Sequence, residues 1–344
     1  MNSSQIRLID QTRKKRGITV MCVIAVLIVV VFIVSMNIGY IRLSPIDVMK
    51  TLFGKGTDRQ WLILFEFRLP RIVISVLIGA GLAVSGCVMQ GISRNPLADP
   101  GILGINAGAG LMVMLFISFN PMTTMGSVFV LPLLALIGAG LTAILIYALA
   151  YKKNEGISSS RLILNGIAVA AGISSVMIVL TLALEPQKYQ FVAKWLAGSI
   201  MGTNWKYVLA LLPWILILLP FVFYKARVMN VISLGNGTAT GLGTDVQKES
   251  IMLLSAAVGL AGSSVAVSGG IGFVGLIAPH LARRLVGPKH QLLFPASALT
   301  GALLVILADT IGRSILQSSE IPTGIVVAVI GAPYFLYLLS RVKK

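Results

Sequence analysis

The stretch GGIGFVGLIAPHLARRL, Gly269 to Leu285, decides how this chain folds. It is apolar for only about half of the roughly 20 residues that a helix needs to cross a bilayer core, and then meets His280, Arg283 and Arg284. Hydropathy alone leaves it as a re-entrant segment or a short tilted crossing. Around it stand nine longer apolar runs: Ile18 to Ile38, Ile72 to Ile92, Ile102 to Phe119, Val128 to Ala150, Leu162 to Leu182, Val208 to Tyr224, Ile251 to Ser268, Leu292 to Ala308 and Ile325 to Leu339. If the short stretch does not cross, the two ends of the chain lie on opposite sides of a membrane.

Charge chooses between the two counts. With ten crossings and a cytoplasmic start, the inside segments collect 18 of the 28 Lys and Arg. These are five in residues 1–17, then Arg94, then Lys152, Lys153 and Arg161. The others are Lys225, Arg227, Lys248, Arg283, Arg284, Lys289, Arg341, Lys343 and Lys344. That is the positive-inside distribution, with both termini cytoplasmic. With nine crossings RVKK faces outward, so the short stretch is counted as a span.

The composition, 56% apolar and 11% charged against roughly 25% charged in soluble domains, places the 344-residue chain in lipid as a single membrane domain, 1–344. Helix is the expected backbone state, because unpaired amides in hydrocarbon are costly and the runs do not alternate in polarity as barrel strands do. The basic N-terminal segment followed by an apolar run also fits a signal peptide. No small-residue cleavage pattern precedes the next polar turn, so an uncleaved anchor is expected. A net charge of +17 suggests nucleic acid in a soluble protein, but no recognition unit accompanies it. Cys22 and Cys87 lie in apolar runs and read as small buried hydrophobes. No CxxC or HExxH is present, and neither cofactor nor metal is expected.

Glycines, 35 in all, gather in GAGLAVSG (Gly79 to Gly86), GINAGAG (Gly104 to Gly110) and GLAGSS (Gly259 to Ser264), the composition of closely packed helices. Between Gly39 and Pro70, Ser44 is placed to cap and Pro45 to begin a short surface helix ending at Gly54. A second flat-lying element is expected over Pro186 to Gly198, with Tyr189, Phe191 and Trp195 at the interface. The segment Met229 to Ser250 reads as a loose tether or as a short helix pair against which another protein pushes. Its GNGTATGLGTD lacks the lysine of a P-loop, so the chain does not hold ATP by that device.

Polar residues near the runs supply the candidate sites. Asp309 and Arg313 stand four apart and are expected to pair on one helix face. Arg68 and Arg71 flank Pro70, as headgroup anchors or as a docking site for an acidic partner. In RNPLADPGILG, Arg94 to Gly104, Pro96 and Pro100 break the helix while Asn95 and Asp99 offer partners to freed amides. Asp99 is a candidate cap for the helix that follows, and the segment reads as a rigid turn or as part of a gate.

A series of motifs then carries a family resemblance: FRLPRIV (Phe67 to Val73), GAGLAVSGCVMQGISRNPLADPGILGINAGAG (Gly79 to Gly110), RLILNGIAVA (Arg161 to Ala170) and WLAGS (Trp195 to Ser199). It continues with SLGNGTATGLGTD (Ser233 to Asp245), GGIGFVGLIAPHLARRLVGPKH (Gly269 to His290), ADTIGR (Ala308 to Arg313) and the segment from Glu320 to Leu339. In order over nearly the whole chain, they resemble the FecCD-type permeases of binding-protein-dependent importers for ferric siderophores, haem and vitamin B12. The resemblance implies an all-α polytopic membrane protein of ten transmembrane helices, the eighth short, with the type II ABC importer permease fold. It implies a second permease subunit, two cytoplasmic ATPase subunits that hydrolyse ATP, an outside solute-binding protein and a bacterial plasma-membrane location. Arg68, Arg71 and Arg313 match docking positions for the binding protein. Residues 228–246 match the coupling helices for the ATPase, with Leu234, Thr240, Gly241, Leu242 and Gly243 at the contact.

Gln90, Asn95, Pro96, Asp99, Asn106, Asn165 and His280 are the candidate pathway or gate residues, with Gly108 and Ser174 as further lining. His280 is expected to be a hydrogen-bonded structural histidine. A ferric siderophore is the expected cargo, haem and a corrinoid its alternatives, and an ion-coupled secondary transporter the reading from another class.

Overall fold

The structure is a computed structural model describing residues 3–38, 43–101, 104–120, 129–152, 156–157, 159–315 and 320–342. Lys153, Lys343 and Lys344 of the inside charges, residues 39–42 of the first outside segment and residues 102–103 of the proline-containing stretch lie outside the described residues.

Among the described residues fifteen α-helices follow one another: α1 Ser3–Asn37, α2 Pro45–Leu52, α3 Asp58–Trp61, α4 Leu69–Ser93, α5 Ile105–Phe119, α6 Val130–Ala150, α7 Ser159–Thr181, α8 Pro186–Leu196, α9 Trp205–Tyr224, α10 Ala226–Ser233, α11 Asn236–Gly241, α12 Val246–Ser268, α13 Val274–Val286, α14 His290–Ile315 and α15 Thr323–Val342. A π-helical turn, Leu62–Arg68, joins α3 to α4, and β1 Tyr151–Lys152 pairs antiparallel with β2 Gly156–Ile157. The fold is all-α as expected, with that one small pairing in the α6–α7 connection. Among the described residues, seven helices are long and apolar enough to cross a membrane, and Ile105–Phe119 and Thr323–Tyr337 are shorter apolar helices.

Local chemistry fixes several ends. Ser44 and Asp47 form a reciprocal capping box with Pro45 in the first turn of α2, as expected, and Gly54 at φ 74° follows its end. The Ser44 hydroxyl holds the Asp47 carboxyl below the usual carboxylate range. Pro70 has no N–H to give, and the π-helical turn falls directly before it. The helix is therefore continuous from Asp58 to Ser93, and Arg68 and Arg71 sit within it rather than at its mouth.

α4 and α12 form the centre, and α1, α6, α7 and α9 turn much of their apolar surface outward. Cys87 is buried in α4; Cys22 is exposed on α1, which corrects its reading as a buried hydrophobe, because that face of α1 meets no other helix. α8 forms as expected, with Tyr189 exposed and Trp195 half-buried at its end.

The deciding stretch resolves into two parts. Gly269 to Phe273 is irregular, and α13 then runs for 13 residues, ~20 Å at the usual rise. Gly275 meets Gly86 so closely that a Cβ on Gly86 would overlap the Gly275 carbonyl oxygen, so α13 begins well below the middle of α4. Non-helical backbone at such depth is tolerated only where protein surrounds it. Here Gly269 and Ile271 are buried, and the Gly270 N–H donates to the carbonyl of Trp195 (3.4 Å).

Candidate functional site

Three groups of polar side chains stand out: one near the start of α4, one where its last turns meet α13, and one on the helix pair beyond its end. At the first end, Arg71 on α4 donates to Asp309 on α14 through Nε (3.0 Å) and Nη2 (2.8 Å), and through Nη1 to Glu320 (2.7 Å). Asp309 also accepts from Thr323 (3.2 Å) and lies 3.1 Å from Arg313 Nε, a charge contact whose N–H does not point at the carboxylate. The expected i, i+4 pair is thus present. Arg313 donates to the Ile38 carbonyl (3.0 Å) and to the Ser35 hydroxyl, and Arg68 to the Met36 carbonyl, so both tie the end of α1 to the bundle. Asp309 is 1% exposed, and Arg68 and Arg313 are buried. The resemblance matches Arg68, Arg71 and Arg313 to docking positions, and all three have partners within the chain. Glu320, which sequence reasoning named only within a motif, is the more open carboxylate, its side chain 27% exposed.

Beside the last turn of α4, α13 meets two of the candidate gate residues, Gln90 and Asp99. The Gln90 amide donates to the carbonyls of Gly275 (3.1 Å) and Leu276 (3.4 Å). Asp99 accepts from the Gly101 N–H (2.7 Å), and its other oxygen crowds Gly275 in the first turn of α13, where a helix N-terminus favours a carboxylate. This corrects the expectation that Asp99 caps α5: Gly104, at φ 76°, takes that N-cap position, and Asp99 turns back toward α13. Asn95 bonds the Leu97 N–H (2.9 Å) in a turn with Pro96 at the surface, and Asn106 lies beside Gly101. Asn165 is half-buried on α7 and makes no hydrogen bond to this group; Ser174 is exposed on the same helix. His280 departs from expectation. Its ring meets Tyr334 edge-on at 5.9 Å, while Nε2 is buried without a hydrogen-bond partner among the described residues.

At the other end, α10 and α11 form the short helix pair expected over residues 228–246, and the loose tether is not what forms. Leu234 and Leu242 are 62% and 64% exposed at its turns, Thr240 and Gly241 are exposed beside them, and Gly243 takes φ 80°. Arg94 ends α4 in the left-handed region, φ 49°, and donates to Asn236 at the start of α11. The arginine that interrupts two apolar runs therefore holds the helix pair to the bundle. Lys225 pairs with Glu249 on α12 at 2.8 Å.

Apolar helices packed through glycines, a truncated helix starting deep in the bundle and an exposed helix pair at one end define an integral membrane protein of the transporter-permease class. The chain belongs to the FecCD transport family, which it matches over residues 27–341. It is 52% identical over 336 residues to the iron(3+)-hydroxamate import system permease protein FhuG of Bacillus subtilis (strain 168), covering 96% of this chain and 99% of that one. It is 43% identical to the iron-uptake system permease protein FeuC of the same organism, covering 92% and 96%. A solved structure described as an inward-facing conformation of a metal-chelate type ABC transporter superimposes with a TM-score of 0.81 at 31% identity, over 94% of this chain and 99% of that one.

Proposed function

We propose that this chain is the permease subunit of an ATP-driven importer of a ferric siderophore, a hydroxamate chelate in the first place. It crosses the plasma membrane ten times, α13 being the short eighth crossing, with both termini and the α10–α11 pair in the cytoplasm. It pairs with a second permease subunit, and two separate ATPase subunits drive alternating access. The observation that carries this reading is the 52% identity to a ferric-hydroxamate permease along nearly the full length of both chains. A hemin permease of Yersinia pestis at 37% identity keeps haem as the second cargo. Uptake of radiolabelled ferric hydroxamate into vesicles holding the full complex tests it. Transport should require internal ATP and the binding protein, and uptake driven by an ion gradient without ATP would overturn it.

On the cytoplasmic side, Leu234 and Leu242 are the apolar contacts offered to the ATPase, with Thr240, Gly241 and Gly243 between them. Leu242→Glu places a charge on that surface at a side chain that is mostly exposed. Co-purification of the ATPase should fall about tenfold, as expected for loss of an interface anchor worth ~1–2 kcal/mol. Unchanged recovery at normal permease yield would remove Leu242 from the interface.

On the outside, Arg68, Arg71 and Arg313 are the proposed docking residues for the binding protein, and their in-chain partners dictate how. Glu320 is the open partner of Arg71, so an incoming carboxylate replaces Glu320 while Asp309 stays in place. Glu320→Gln removes the competing charge. It should tighten the binding protein by up to about tenfold, the scale of one charge-assisted hydrogen bond. A titration showing equal or weaker affinity would refute the exchange.

A further inference from the structure

The contacts of α10 reach further than the surface it presents to a partner. Met229 is fully buried, and its methyl group lies against Gly91 near the end of α4, where any Cβ would overlap it. The next residue, Asn230, faces α14. Its Oδ1 accepts from the backbone N–H of His290 (2.9 Å) and contacts His290 Nδ1 (2.8 Å), and its Nδ2 donates to Gln291 Oε1 (2.8 Å). An amide oxygen only accepts, so His290 carries its proton on Nδ1. The first N–H groups of a helix have no partner inside it, and α14 receives one from a side chain of another helix. Arg94 adds the bond from the end of α4 to Asn236 on α11.

α4 and α14 are also the two helices joined at their other ends by Arg71 and Asp309. A displacement of α10 therefore acts on both long helices at once.

We propose that Met229 and Asn230 form a clasp that makes α10 move as one body with α4 and α14, and that this clasp carries the stroke of the ATPase to the opposite face of the membrane. Both are positioning residues: they touch neither cargo nor nucleotide. The inference rests on the reading of α10–α11 as the ATPase contact.

The test uses the complete complex in vesicles and reads chelate moved per ATP hydrolysed. Asn230→Ala strips two donors of His290 of their acceptor and should lower that ratio about tenfold while the ATPase still co-purifies. Asn230→Asp, which keeps an acceptor oxygen toward His290, should stay within about twofold of the parent. Gly91→Ala should lower the ratio through its collision with Met229, and Gly91→Ala with Met229→Ala should recover most of it, a non-additivity expected of residues in contact. An unchanged ratio in Asn230→Ala, or simple additivity in the Gly91 and Met229 pair, would overturn the clasp. Should Asn230→Ala fail to assemble, the Gly91 and Met229 pair decides alone. If the parent chain recovers no ATPase, the reading of the helix pair fails first, and that outcome is distinct from these.

Discussion

Asp309→Asn is expected to leave almost no folded chain. The substitution keeps the size of the side chain and removes one negative charge from a group in which Arg71 donates twice to that carboxylate and Arg313 lies 3.1 Å from it. Glu320 still serves Arg71, but Arg313 is then left buried with only neutral partners, the Ile38 carbonyl and the Ser35 hydroxyl. Breaking a buried ion pair from one side costs about 3–5 kcal/mol, because the surviving charge remains desolvated without compensation. Stabilities of folded chains are about 5–15 kcal/mol, so that loss is a large part of the whole. Detergent-solubilised protein should show a monodisperse peak reduced about tenfold or more in size-exclusion chromatography, with a markedly lower melting temperature. Removing the stranded charge as well, in Asp309→Asn with Arg313→Met, should restore part of the yield, since well-packed apolar residues often replace a buried pair at little cost. If Asp309→Asn melts with the parent chain, the group is not what holds α1, α4 and α14 together.

Asp309 also shows how much could be read in advance. Its pairing with Arg313 follows from a spacing of four along one helix, and the structure contains it. Its bond to Arg71 joins positions 238 apart, and no local periodicity encodes that. The same division holds elsewhere. Ser44 before Pro45 announced α2, because caps are written in adjacent residues, whereas Met229 to Ser250 allowed a loose tether or a helix pair and only the family resemblance favoured the pair. The deep start of α13 was half legible: the shortage of apolar residues was evident, whereas the left-handed Phe273, φ 65°, and the contact of Gly275 with Gly86 depend on packing between distant segments. Asp99 was misassigned for that reason. A carboxylate before a helix suggests a cap for the next helix in sequence, and nothing local reveals that the start of α13 lies nearer. The arginines were legible in another way. Their pattern resembles that of docking positions, but the in-chain partners of Arg68 and Arg71, Met36, Asp309 and Glu320, belong to the assembled bundle and follow from no local spacing.

Gly301→Val is the second substitution expected to prevent folding, and its cause is geometric rather than electrostatic. A Cβ on Gly301 would overlap the carbonyl oxygen of Gly79 and approach the Cβ of Ala83 at 2.5 Å; a Cβ on Gly79 would overlap the carbonyl of Gly301. The obstruction is reciprocal and made mostly of backbone, which cannot turn aside as a flexible side chain can. Overpacking that side chains absorb costs about 1–3 kcal/mol, and here α4 and α14 must separate instead. They share the most extensive helix contact in the chain, and small residues at such crossings are what lets helices pack in lipid, where no hydrophobic force drives them together. Separation also stretches the Arg71–Asp309 pair, which joins the same two helices, so the loss extends beyond the crossing. Gly140→Ala is the control: a Cβ there meets nothing within 4 Å, and its yield and melting temperature should match the parent. Gly301→Val should give aggregated or degraded chain when the membrane fraction is solubilised. A monodisperse Gly301→Val protein melting with the parent would mean that α4 and α14 do not cross at Gly79 and Gly301, and the paths proposed through both helices would lose their support.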